Sequence, residues 1–228
     1  LKIAYSPLSS TYDNLSPFEV DFNNDGTKDL LVGTAEGMIA LFTNTGTDAE
    51  PVFSDYDFLT VDGKAIDVGT HAAPFMVDYN NDGKRDLLVG NGEGSLLYYA
   101  NRGNTTHASF AQPTTIYDVH GNCLAVDSYC TPCVVDWDDD NRKDILLGSG
   151  TGALVLYRNE GSESEPLFSP PSHIEVDGTK INVTSTAVPV VADWNNDGGK
   201  DLLVRNQEGE CFLFLNEVVG GEPDLFRA

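Results

Sequence analysis

A short acidic segment recurs four times at nearly constant spacing, and this recurrence restricts the chain to a repeat architecture. The second copy reads Val77-Asp78-Tyr79-Asn80-Asn81-Asp82-Gly83-Lys84-Arg85-Asp86-Leu87-Leu88-Val89-Gly90. Counted from Asp78, acidic or amide side chains fall at positions one, three, five and nine. A glycine stands at six, and an apolar run follows. The copies begin at Asp21, Asp78, Asp136 and Asp193, with spacings of 57, 58 and 57 residues. A repeat of this length is one supersecondary unit. It cannot bury its own apolar faces, so its neighbours must stack on it.

The residues around each acidic segment read as short strands. Phe18-Glu19-Val20-Asp21-Phe22 alternates with the period of a strand. Leu30-Leu31-Val32-Gly33 forms a second, Thr34-Ala35-Glu36-Gly37 is a turn by composition, and Met38-Ile39-Ala40-Leu41-Phe42 a third. Asn44-Thr45-Gly46 closes it, and residues 58–68, interrupted by Asp62-Gly63, supply an outer fourth strand. The other units repeat these parts, giving repeats around 18–73, 75–131, 133–188 and 190–228 plus 1–17. No helical period occurs. Runs such as Leu87-Leu88-Val89 are apolar on both faces, as a strand between two layers requires. The expected fold is all-β, a β-propeller of four repeats with four antiparallel strands each, one domain over 1–228. Read in a circle, Leu1-Lys2-Ile3-Ala4-Tyr5 is expected to complete the outer edge of the last blade and so close the ring. Donation of that strand to a neighbouring molecule is the rival use, and half of a larger propeller cut from a longer chain is the third reading.

Alternating oxygen donors with a glycine at the sharp turn suit a hard cation, because the loop must curl its oxygens around one point. The candidate ligands are Asp21, Asn23, Asp25 and Asp29; Asp78, Asn80, Asp82 and Asp86; Asp136, Asp138, Asp140 and Asp144; and Asp193, Asn195, Asp197 and Asp201. Position seven (Thr27, Lys84, Arg142 or Gly199) is expected to add a backbone carbonyl. Calcium is the expected ion, up to four per chain. Position twelve is Val32, Val89, Leu147 or Val204 rather than a bidentate Glu, and a strand follows, so this is no EF-hand. Asn141 replaces the glycine in the third loop and tolerates the left-handed conformation needed there. Metal-free Asx turns are the bland alternative. They leave clustered carboxylates without a counter-charge, which is costly.

The formal net charge is −23, and the candidate ligand positions of the four loops hold 13 of the 36 acidic residues. So acidic a surface repels phosphate backbones, which excludes nucleic acid as a partner. No apolar run is long enough to insert into a membrane. Cys123, Cys130, Cys133 and Cys211 are even in number and are expected to form two disulfides in an oxidising compartment. Cys130-x-x-Cys133 lacks the second close pair of a zinc site. N-glycosylation sequons stand at Asn104 and Asn182, and at Asn14, where Pro17 follows. Together with the absence of an initial methionine, these features suggest a mature segment of an extracellular, secreted or cell-surface protein. His71, His107, His120 and His173 have no matching nucleophile, and the paired carboxylates are assigned to metal, so no catalysis is expected. Phe22, Tyr79, Trp137 and Trp194 each follow a first loop aspartate and are expected to pack between blades rather than stack on sugars.

The pattern Asp-x-Asn-x-Asp-Gly-x-x-Asp-Leu-Leu-Val-Gly, then Glu-Gly, an aromatic strand, Asn-x-Gly and Pro-x-Phe, resembles the FG-GAP/VCBS-type repeat. That family includes integrin α-subunit propellers, some fungal lectins and many secreted bacterial proteins. The resemblance covers essentially the whole chain. It implies a propeller with calcium held between the innermost strand and the next. The function it suggests is a non-catalytic, calcium-stabilised binding or adhesion module for a protein or glycan ligand. Two alternatives are a self-associating structural subunit of an extracellular filament and an accessory propeller of a secreted carbohydrate-active enzyme.

Overall fold

The apolar runs after each acidic loop become the second strands of four antiparallel sheets. The computed structural model describes residues 15–216, 221 and 223–227. The first sheet, in the order β1-β2-β3-β4, comprises β1 (Ser16–Val20), β2 (Asp29–Gly33), β3 (Ile39–Phe42) and β4 (Asp57–Phe58). A hairpin of β5 (Thr60–Val61) and β6 (Lys64–Ala65) follows. The second sheet holds β7 (Ala73–Val77), β8 (Asp86–Gly90), β9 (Leu96–Tyr99) and β10 (Thr114–Thr115). The third holds β11 (Thr131–Val135), β12 (Asp144–Gly148), β13 (Leu154–Tyr157) and β14 (Ser172–His173), followed by a hairpin of β15 (Glu175–Val176) and β16 (Thr179–Lys180). The fourth holds β17 (Val188–Ala192), β18 (Asp201–Arg205), β19 (Cys211–Asn216) and β20 (Leu225–Arg227). No helix occurs among the described residues. Four such meanders are the four blades of a β-propeller, as the repeat spacing predicts.

Registers repeat as the strands do. Val20 pairs with Asp29, Val77 with Asp86, Val135 with Asp144 and Ala192 with Asp201, so each acidic loop is the connection between a blade's first two strands. The chain folds as two compact units, one holding the first sheet and most of the second, the other the third and fourth. In the first unit β2 is apolar on both faces. Leu31 joins a core with Ile39, Val61, Ile66, Met76, Leu87 and Val89, while Val32 packs with Ala40, Phe42 and Phe53 on the opposite face. Phe18 of β1 lies against Phe75 of β7, with ring centroids 4.7 Å apart. In the second unit Gly148 is required by a close approach. A Cβ there would stand 2.0 Å from the Ala187 carbonyl oxygen and 2.5 Å from Thr131 Oγ1.

Three expectations change. Residues 58–68 are not one outer strand. β4 ends at Phe58 and the chain turns back at Asp62-Gly63, whose φ values of 51° and 74° make the two-residue turn that favours Asp-Gly. The returning hairpin buries Leu59, Val61, Ile66 and Val68 in the first unit's core. Secondly, all four cysteines are free thiols: Cys130 and Cys133 are buried, Cys123 and Cys211 exposed. Cys133 lies within β11 and Cys130 just before it. Three residues of extended chain span roughly 10 Å, beyond the reach of a disulfide. Thirdly, the aromatics after the first loop aspartates do not share one role. Trp137 is buried and Phe22 packs on the core, whereas Trp194 is 63% exposed. The expected closing strand at residues 1–5 lies outside the described residues, as does Asn14. The described outer partner of β19 is β20, which pairs Asn216 with Leu225 and Phe214 with Arg227.

Candidate metal centres

Each loop is shaped first by its own hydrogen bonds. The first aspartate accepts the N–H groups of positions five and six. For Asp21 these are Asp25 at 3.0 Å and Gly26 at 3.1 Å, and for Asp193 they are Asp197 and Gly198, both at 3.0 Å. Asp78 and Asp136 do the same. The position-five carboxylate in turn accepts the N–H of position seven in all four loops, at 2.7–3.0 Å. Position six is left-handed throughout, including Asn141 at φ 64°, so the substitution for glycine is accommodated as its side chain predicts. Position four is left-handed as well, at Asn24, Asn81, Asp139 and Asn196.

The ninth-position aspartates, Asp29, Asp86, Asp144 and Asp201, are buried and serve as latches. Asp144 Oδ2 accepts the Trp137 N–H and Oδ1 the Asn159 N–H, both at 2.8 Å. Asp29 bonds Phe22 and Asn44 in the same way, and Asp201 bonds Trp194 and Asn216. The receiving asparagines, Asn44, Asn101, Asn159 and Asn216, are buried; by sequence the first three are only parts of Asn-x-Gly turns, and Asn216 carries no such signal. Their carboxamides close the next loop. Asn44 Oδ1 accepts Gly46 and Val52 N–H at 2.9 Å, and Asn159 Oδ1 accepts Gly161 at 3.0 Å and Leu167 at 3.1 Å. The signal was available, because each asparagine follows its latch aspartate by 15 residues.

The third loop gathers its candidate ligands most closely among the described residues. Carboxylate oxygens of Asp136, Asp138 and Asp144 lie within 4.8 Å of one another. Burial pushes the Asp144 carboxyl up to about 6, with two backbone N–H bonds opposing and the charges of Asp138 and Asp140 adding to the rise. Burial also raises Asp140, and Asp138 and Asp136 add to it. Carboxylates held this close call for a cation. Asp138 Oδ1 is buried and has no hydrogen-bond partner. The donors are all oxygens, so the residues present fit a hard divalent cation. Asp140 lies outside the convergent trio and is paired with Arg142. In the first and fourth loops the position-three amides are engaged: Asn23 and Asn195 accept the N–H of position five at 3.0 Å and donate to its carboxylate.

Of the sequon asparagines, Asn104 is exposed in a loop where its Oδ1 accepts the Thr106 and His107 N–H groups. Asn182 is tied down, its amide donating to the Thr151 carbonyl at 3.1 Å.

Four meander sheets, each with an acidic, oxygen-lined loop between its first two strands, define a protein of propeller blades. Residues 136–204 match the FG-GAP-like repeat family. Over 156 residues the chain is 30% identical to integrin alpha-3 of Cricetulus griseus, covering 60% of this chain and 14% of that protein. It is 26% identical to integrin alpha-7 of Mus musculus over 221 residues, 82% of this chain and 18% of the relative. The chain thus spans less than a fifth of the curated relatives it matches. Among solved structures, a chain of the Photorhabdus luminescens Tc holotoxin pore is similar in fold, with a TM-score of 0.50 and 16% identity, covering 90% of this chain and 9% of that one.

Proposed function

We propose that the chain is a calcium-stabilised, non-catalytic binding propeller of an extracellular or cell-surface protein, and that it recognises a protein ligand. The observation that carries this reading is the third loop, where three carboxylates converge and Asp138 Oδ1 is buried without a partner. Calcium adds positive charge at the convergent carboxylates beyond what Arg142, Arg158 and Lys200 bring, and it accepts oxygen ligands in flexible number, which suits a loop built from backbone-tied carboxylates. The FG-GAP-type repeats and the similarity to integrin α subunits support adhesion and a cell-surface setting. Bound ions stabilise the folded loops by mass action and leave the outer surface free for recognition.

Two measurements test it. Thermal melts of the chelator-treated chain should rise on adding calcium, and an unchanged midpoint would remove the ion from the account. Immobilised chain should then capture a protein from an array of extracellular domains in a calcium-dependent manner. Capture of glycans alone would replace the protein ligand with a sugar, and turnover of any captured glycan would overturn the non-catalytic reading.

A further inference from the structure

The four loops differ in one respect that the shared ligand pattern hides: whether they carry their own cation. In the second loop Lys84 Nζ lies 3.0 Å from Asp82 Oδ2. In the third, Arg142 is paired with Asp140, Arg158 NH1 lies 3.4 Å from Asp138 Oδ2, and Lys200 reaches Asp139 and stands 3.9 Å from Asp136 Oδ1. In the first and fourth, position seven is Thr27 or Gly199, and among the described residues no Lys or Arg side chain pairs with a loop carboxylate. Arg85 does approach the first loop, but its guanidinium donates to the Asp21 carbonyl and not to a carboxylate. Lys200 belongs by sequence to the fourth loop and yet reaches across to the third.

The chain's internal repeats supply the comparison. Arg158 precedes its latch-bonded asparagine where the other copies have Thr43, Ala100 and Leu215. It stands in the same copy whose third position is Asp138 rather than Asn23, Asn80 or Asn195. The additional carboxylate and the additional arginine occur together, and the structure pairs them.

We infer that the loops form two classes of calcium site: tight sites at the first and fourth loops, and weaker, self-counterioned sites at the second and third. This rests on the calcium reading above. A divalent ion entering the second or third loop must displace or repel a tethered side-chain cation held against the same carboxylate. A unit and a double charge about 6 Å apart in water repel by enough to weaken binding roughly tenfold, and by more where water is excluded. The third loop is the weaker of that pair, since Arg142 also donates to the Asn159 carbonyl at 2.6 Å and Arg158 and Lys200 add to the field.

Calorimetric titration of the chelated, dialysed full chain with calcium reads this directly. Two tight and two weaker sites are expected. The double variant Lys84→Thr/Arg142→Thr, which gives both weak loops the residue of the first, should tighten the weak class about tenfold. Thr27→Lys should do the reverse and leave one tight site and three weak ones. This second variant keeps the test independent of whether loss of Arg142 harms folding. Four equal sites in the wild-type chain, or affinities unmoved by both variants, would overturn the inference while leaving calcium binding intact. No calcium uptake at all would remove the calcium reading itself, and this inference with it.

Discussion

Asn159→Ala isolates the part of the loop architecture that does not depend on an ion. The Asn159 carboxamide is buried and makes three bonds: it accepts the Gly161 N–H at 3.0 Å and the Leu167 N–H at 3.1 Å, and donates to the Ser162 carbonyl at 3.1 Å. Each such bond contributes about 1 kcal/mol net, and a partner left buried and unsatisfied costs somewhat more. The truncation should therefore destabilise the fold by about 3 kcal/mol. For a chain of this size each kcal/mol corresponds to about 2–4 °C, so the midpoint should fall by about 6–12 °C. Scanning calorimetry on wild type and variant, with calcium and with chelator, is the assay. The fall should be the same in both conditions, because these bonds close the segment after the third strand rather than line the ion's pocket. A fall under about 2 °C would refute the reasoning, and a fall present only with calcium would reassign the side chain to the metal centre.

Other consequences can be checked as readily. Gly148→Ala drives a Cβ into the Ala187 carbonyl and should cost about 3 kcal/mol or prevent folding, whereas Gly178→Ala, at φ 70° with no atom within 4 Å, should cost about 1 kcal/mol in the same denaturation assay. Native alkylation followed by mass spectrometry should label Cys123 and Cys211 and spare the buried Cys130 and Cys133. Burial pushes the Cys133 thiol from 9.0 up to about 11, so its contribution to stability is complete below pH 9 and is lost as pH rises toward 11. Denaturation midpoints should fall across that window, and less steeply in Cys133→Ala; parallel curves would exclude the thiol as the cause.

Sequence reading reached the fold because the constraint was redundant. Four copies of an oxygen-bearing loop before a doubly apolar strand leave few architectures, and the registers of Val20 with Asp29 and Ala192 with Asp201 follow from the same pattern. What it missed required knowledge of where the chain turns. Asp62-Gly63 is as compatible with a bulged strand as with a hairpin, and the apolar Val61 and Ile66 decide for the hairpin only once a core exists to receive them. The even cysteine count suggested disulfides, yet two of the thiols behave as small buried apolar groups within the second unit. At the loops, the acidic positions and their left-handed turns were legible and the latch asparagines were not, since the Asn-x-Gly triplets at Asn44, Asn101 and Asn159 read as turns whether or not the carboxamide is buried, and Asn216 heads no such triplet. The distinction between loops lay in Lys84, Arg142 and Arg158, whose ordinary reading is a solvated surface charge.

The reach of the latch bears on how the chain is made. Asp144 finds its asparagine 15 residues later, and that asparagine closes on Leu167 after a further eight. Closing segments of this length costs little more entropy than closing a short loop, because that cost grows only slowly with length. A growing polypeptide can therefore close the third loop and its latch once Phe168 has left the ribosome, before the blade that packs on it has been made. The same latch spacing recurs in every copy, so each acidic loop can close locally, while a doubly apolar stretch such as Ile145-Leu146-Leu147 is covered only when β17 of the next copy arrives.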